Sequence, residues 1–146
     1  MKNIRVYIDM DDTICDFLGA FIEARDKCPK QSYPQAQVDF FRKLKPLPMA
    51  LKAMDLLKEK GYDVWILTRP SILNPLCYME KRLWVEDNLG IEWCERLIIC
   101  PDKSLVKGDF LIDDQEWPGF EGEQILFGSP KFPDWREVLN YLGIKN

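Results

Sequence analysis

The chain has 146 residues, 47% of them hydrophobic, with a formal net charge of −4 and a pI near 4.9. That size and apolar content suit a single domain with a full core and a small insertion. The acidic balance and the lack of a Lys/Arg-rich tract argue against duplex nucleic acid as a partner, while a small anionic ligand stays open because local charge can oppose net charge. Histidine is absent, so catalysis falls to carboxylates, lysines or hydroxyls. The five cysteines, Cys15, Cys28, Cys77, Cys94 and Cys100, are odd in number and irregularly spaced. They fit reduced thiols in a cytoplasmic protein better than a disulfide frame or a zinc site. Met1-Lys2-Asn3 leads directly into a strand pattern, so no signal peptide is expected. No apolar run approaches the roughly 20 residues of a membrane span, and no membrane partner is expected.

In chain order, Ile4 to Ile8 reads as a first strand, apolar enough for a buried parallel sheet. Asp16 to Lys27 carries Phe17, Ala20, Phe21 and Ala24 at helical spacing, with Asp16 as N-cap. Cys28 to Tyr33 is a break, Pro34 to Leu44 a short helix containing Phe40-Phe41, and Lys45-Pro46-Leu47-Pro48 a linker. Met49 to Lys60 is an amphipathic helix stopped by Gly61. Strands follow at Tyr62 to Leu67, Arg96 to Cys100, Phe110 to Ile112 and Gln124 to Phe127. Helices are expected at Pro75 to Leu89, stopped by Gly90, and at Asp134 to Leu142, capped by Asp134. Strands alternating with helices predict a three-layer, Rossmann-like α/β domain with a five-stranded parallel sheet spanning residues 1–146. The stretch from about Cys15 to Pro46 is too long for a plain crossover and predicts a small helical cap inserted after the first strand.

The chemistry concentrates at strand ends. Ile4 to Ile8 runs into Asp9-Met10-Asp11-Asp12-Thr13, and Phe110-Leu111-Ile112 runs into Asp113-Asp114. In a parallel sheet, both acidic groups fall at the C-terminal edge, where such folds build their sites. Carboxylates brought together raise each other's pKa and cost stability. A hard cation such as Mg²⁺, which prefers carboxylate oxygens, relieves that cost. The pattern therefore predicts a Mg²⁺ site that handles phosphate. Thr68 ends another strand at the same edge, and its hydroxyl is a candidate donor to a phosphoryl oxygen, followed by Arg69. Lys103, in a loop before Asp113, and Lys81, in a helix, are candidate cations for the anionic nucleophile and the phosphate, with Lys107 a third. Phe17 and Phe41 in the cap are either core residues or faces on which a base could stack.

These residues form a known constellation. Asp9-Met10-Asp11-x-Thr13, Thr68, a loop lysine and Asp113-Asp114 resemble the four motifs of the haloacid dehalogenase superfamily of phosphatases. Cys15-Asp16-Phe17, Phe40-Phe41-Arg42-Lys43-Leu44, Leu67-Thr68-Arg69-Pro70, Tyr78-Met79-Glu80-Lys81, Trp84-Val85 and Asp102-Lys103 extend the resemblance to the 5′(3′)-deoxyribonucleotidase family. The resemblance implies a sheet in the order 3-2-1-4-5 with a helical cap, and Mg²⁺-dependent hydrolysis of nucleoside monophosphates. It implies Asp9 as nucleophile and Asp11 as general acid/base. Thr68 would bind phosphate, Lys103 would be the third-motif lysine and Lys81 would support the site. Asp113 and Asp114 would hold Mg²⁺ with Asp9 and the backbone carbonyl of Asp11. The sequence departs from the family at Asp12, where a Gly is usual, and at Arg69 and Ile72, where animal members place a Ser and a Lys. The partner implied is a small phosphorylated substrate, with a nucleotide first in line and a homodimer left open. A phosphatase for another phosphate ester, a phospho-aspartate receiver domain and a non-catalytic phospho-ligand binder are the competing readings. Asp11, two residues past Asp9, and the insertion before Pro46 both count against a receiver.

Overall fold

The computed structural model describes residues 3–145; Met1 and Lys2 of the expected N-terminal run, and Asn146, lie outside the described residues. Five strands pair in parallel: β1 (Arg5–Ile8), β2 (Asp63–Thr68), β3 (Leu97–Ile99), β4 (Phe110–Asp113) and β5 (Glu123–Leu126). Their order across the sheet is β3-β2-β1-β4-β5, as the resemblance implied. The central strand is β1, whose Tyr7 lies between Trp65 and Leu111, and whose Ile8 lies between Ile66 and Ile112. Both faces of a parallel sheet are buried, which is why these strands read as continuous apolar runs.

Alternation along the strands separates two cores. Val6, Ile8, Val64, Ile66, Ile112 and Ile125 point to one face. There they meet α2 (Ala50–Glu59), α3 (Cys77–Leu89), α4 (Ile91–Cys94) and α5 (Trp135–Tyr141). Tyr7, Leu67, Leu111 and Phe120 point to the other face, with Trp65, Ile98, Val106 and Trp117 packed against them. That outer layer is thin: between β3 and β5 it consists of loops and one 3-10 turn, Lys103–Leu105, instead of full helices. The helix α4 and this 3-10 turn carry too few residues to show a period, and the sequence pattern did not resolve either.

Helix boundaries follow local chemistry. Asp16 accepts the N–H of Gly19 at the start of α1 (Phe17–Lys27), and Asp134 accepts that of Glu137 at the start of α5. Such caps contribute about 1 kcal/mol each. Gly90 ends α3 at φ 105°, a conformation that a Cβ penalises.

The cap lies between β1 and α2. Its two stems are joined where Asp16 N–H donates to Lys45 O at 2.8 Å and Leu47 N–H to Ile14 O at 2.8 Å. The outgoing arm is α1. The expected helix over Pro34 to Leu44 does not form: only Pro34–Ala36 makes a 3-10 turn. Gln37 is extended, and Asp39 sits at φ 66°. Helical hydrogen bonds are replaced by bonds from buried side chains: Asn74 Nδ2 donates to Gln35 O, and Glu80 accepts the N–H groups of Asp39 and Phe41. A tertiary partner that satisfies backbone groups removes the advantage of the local helix.

Candidate active site

The turn after β1 is built around Met10 O, which accepts the N–H groups of Thr13, Ile14 and Cys15. Asp9 is held in register by its own N–H, which donates to Ile112 O at 2.9 Å. Asp12 takes φ 59° at the place where the family usually has Gly. Asp tolerates that left-handed conformation better than most side chains, and Asp12 Oδ1 uses it to accept Leu18 N–H at 2.9 Å. The turn after β1 and the helix α1 are thus tied by one carboxylate. Two buried indoles fix the surroundings: Trp135 Nε1 donates to Thr13 O at 2.8 Å, and Trp84 Nε1 to Leu44 O at 2.7 Å.

Two buried lysines divide the carboxylates between them. Lys103 Nζ lies 2.7 Å from Asp9 Oδ1 and 2.5 Å from Asp113 Oδ2. Lys81 Nζ lies 3.1 Å from Asp11 Oδ2, 2.5 Å from Thr68 Oγ1 and 2.8 Å from Arg69 O. Both lysines are 1% exposed. Burial works against the Lys81 ammonium, but Asp11, Cys77 and Asp9 outweigh it and hold its pKa above the usual value. Burial, reinforced by Asp9, raises the Asp11 carboxyl even against Lys81. The Cys15 thiol, pushed well up by burial, stays protonated and donates to Asp11 Oδ1 at 3.7 Å.

Asp9, Asp113 and Asp114 each present a carboxylate oxygen within 4.8 Å of the others. Burial and the neighbouring Asp9 push Asp113 up to about 6. Burial, together with the hydrogen bond and charge of Asp9, pushes Asp114 up to about 8. Three carboxylates against the single Lys103 ammonium leave a formal charge of −2 when all are ionised. A divalent cation fits that deficit and the all-oxygen donor set.

The pocket has a volume of about 420 Å³ and is lined by Asp9, Asp11, Phe17, Arg69, Lys103 and Asp114, together with Asp12, Asp113, Gln115, Glu116 and Trp117. The sequence-predicted residues therefore converge, with four exceptions. Thr68 is fully buried, and its hydroxyl is engaged by Lys81 behind the pocket wall. Lys81 likewise does not line the pocket and touches its wall through Asp11 Oδ2 and Arg69 O. Phe41 is 1% exposed and is not a wall residue; it stacks behind Phe17, with ring centroids 6.0 Å apart. Of the two readings for Phe41, core residue or stacking face, the structure takes the first and does not bear out direct substrate contact: its backbone N–H is bound by buried Glu80 and the ring lies in the core. Lys107, the third candidate cation, is exposed and pairs with Glu121 away from the pocket.

Trp117 was missed. It lies on the loop after β4, its N–H donates to Gln124 Oε1 at 2.8 Å, and Lys103 Nζ stands 5.8 Å from its ring. An aromatic three residues past an acidic strand end was the available signal.

Known proteins resemble this chain along most of its length. Residues 30–139 match the family described as 5′ nucleotidase, deoxy (pyrimidine), cytosolic type C protein. The chain is 38% identical over 148 residues to a provisionally named 5′(3′)-deoxyribonucleotidase of Vibrio phage KVP40, covering 97% of this chain and 85% of that one. It is 27% identical over 168 residues to the cytosolic-type 5′(3′)-deoxyribonucleotidase of Homo sapiens, covering 94% and 80%. Among solved structures, a haloacid dehalogenase family hydrolase from Deinococcus radiodurans R1, with bound phosphate and sodium, superposes with a TM-score of 0.52. It is 11% identical and covers 97% of this chain and 89% of that one, a likeness of fold.

Proposed function

Because the chain belongs to the 5′(3′)-deoxyribonucleotidase family of phosphoric monoester hydrolases, we propose that it hydrolyses deoxyribonucleoside monophosphates with Mg²⁺ through an aspartyl-phosphate on Asp9. The observation that carries this reading is the pairing of two carboxylates, two residues apart, with two separate buried lysines at one pocket: Asp9 with Lys103 and Asp11 with Lys81.

The division sets two roles. Lys103, bonded to Asp9 Oδ1, fixes the carboxylate and leaves Oδ2 with the weaker Thr13 hydroxyl contact at 3.3 Å. The free lone pairs of Asp9 attack phosphorus; the bond to the leaving oxygen breaks, and the phosphoryl group becomes an acyl phosphate on Asp9. The leaving oxygen needs a proton. Asp11, whose pKa burial raises, supplies it, then takes one from the water that hydrolyses the acyl phosphate. Asp9, Asp113, Asp114 and the backbone carbonyl of Asp11 would hold the Mg²⁺. When bound, the ion would neutralise the charge of substrate and carboxylates together.

Phe17, at the cap side of the pocket, offers a ring on which a base can stack, and Arg69, exposed at the rim, a cation for the phosphate. The names of the phage and human relatives favour deoxyribonucleotides over other phosphate esters. A cytoplasmic location agrees with this reading, since the five thiols are free. Among the described residues, no helix is long and apolar enough to cross a membrane.

The test is phosphate release from deoxyribonucleoside monophosphates and from sugar phosphates, each with Mg²⁺ and with excess EDTA. Preference for the nucleotides and loss of turnover in EDTA are expected. Equal turnover of sugar phosphates would leave a phosphatase for another ester. Unchanged rates in EDTA would remove the metal.

A further inference from the structure

We propose that Glu80, outside the pocket, is a positioning residue that sets how tightly the base end of the substrate is held. It does so by fixing the returning arm of the cap behind Phe17; the inference rests on the nucleotide reading above. Glu80 lies on α3 beside Lys81 and is 1% exposed. A carboxylate in such a place needs strong partners. Its partners come from the cap: Oε2 accepts Asp39 N–H at 3.0 Å, and Oε1 accepts Phe41 N–H at 3.1 Å. Asn74 holds the same arm upstream, with Nδ2 donating to Gln35 O at 2.9 Å and to Gln37 O at 3.4 Å.

Two buried side chains of the hydrolase body thus bind four backbone groups of residues 35–41. The other arm is different, since no residue of α1 is buried. The returning arm is clamped by α3, while α1 is held at its start by Asp12 and otherwise packs on the returning arm. The contact between them is aromatic: Phe41 stacks on Phe17 with rings 27° apart, and Phe40 meets both edge-on. On its far side, Phe41 lies 5.3 Å from Lys81 Nζ. Phe17 lines the pocket and Phe41 does not. Phe41 therefore backs the wall, and Glu80 decides where that backing stands. The end of the pocket assigned to the phosphate is built separately, where Lys103 binds Asp9 and Asp113. Loosening the clamp should weaken binding of a base and spare the chemistry.

The probes are dTMP and deoxyribose 5-phosphate, which share sugar and phosphate and differ by the base. Glu80→Gln turns one oxygen facing a cap N–H into an amide donor. It should raise KM for dTMP by roughly tenfold, the scale of one weakened base–aromatic contact. It should leave kcat for dTMP, and kcat/KM for deoxyribose 5-phosphate, within about twofold of wild type. In a Phe17→Ala background, the same substitution should add less than about twofold to the dTMP KM, because it acts through that ring. Equal losses on both substrates, or full additivity with Phe17→Ala, would overturn the inference. Should Glu80→Gln fail to fold, Asn74→Ala loosens the same arm from its other end and must show the same split between substrates. Failure of the nucleotide reading shows in wild type alone, as equal turnover of the two probes, and it would remove this inference with it.

Discussion

Lys81 Nζ, carried on a helix, lies 3.1 Å from Asp11 Oδ2, the carboxylate two residues beyond the end of β1. The same ammonium binds Thr68 Oγ1 and Arg69 O. One buried cation thereby joins Asp11 to the end of β2, while Lys103 serves Asp9 independently. The two carboxylates are therefore held by different ammonium groups.

Asp11→Asn removes the proton donor and leaves the nucleophile. Turnover of an alkyl phosphate should fall about 10²–10⁴-fold, the usual contribution of general acid–base catalysis. An aryl phosphate with a low-pKa phenol should lose much less. Steady-state rates on the two esters decide the point; a uniform loss would make Asp11 structural.

Asp9→Asn should abolish turnover and keep the fold, because the amide is a poor nucleophile and one charge leaves a crowded acidic cluster. Circular dichroism should match wild type. With beryllium fluoride and Mg²⁺, the wild-type protein should show an adduct on Asp9 in a crystal structure. An adduct on Asp113 would point to receiver-like chemistry instead.

Metal and pH should act together on stability. Asp113 and Asp114 are raised from 3.8 to about 6 and about 8. The folded state therefore binds more protons than the unfolded state above pH 4. Their contribution to stability is present below the unfolded pKa and is lost as pH rises through 6 and then 8. In EDTA, Tm should fall from pH 5 to pH 8. Mg²⁺ should raise Tm more at pH 8, where the carboxylates are free to bind it. Scanning calorimetry at both pH values tests this, and an equal Mg²⁺ effect would contradict it.

Phe17→Ala should cost a deoxynucleoside monophosphate about 1–3 kcal/mol in kcat/KM, the value of a base–aromatic stack. A sugar phosphate should be nearly unaffected. Since Phe41 is in the core, Phe41→Ala should chiefly lower stability, by about 3–5 kcal/mol. Thermal melts beside kinetics separate the two effects.

The acidic strand ends were legible from sequence because a short continuous apolar run ending in Asp9 or Asp113 has only one edge of a parallel sheet to reach. The helices were legible from local signals too: apolar spacing in α1 and α2, Gly90 closing α3 and Asp134 capping α5. Tertiary structure alone decided what depends on partners distant in the chain. Residues 34–44 carry helical spacing, yet Glu80 and Asn74, some 40 positions away, satisfy their backbone and unwind them. Phe17 and Phe41 look alike in sequence, and only the pull of Glu80 puts one ring at the pocket and the other behind it. The division of Asp9 and Asp11 between Lys103 and Lys81 was equally hidden, because a lysine's sequence neighbours do not show which carboxylate its flexible stem will reach once buried. Trp117 joins the site because the loop after β4 is pinned by Gln124 on β5. Local periodicity determined the elements and the edge where chemistry occurs; long-range hydrogen bonds to buried charges decided which side chains face it.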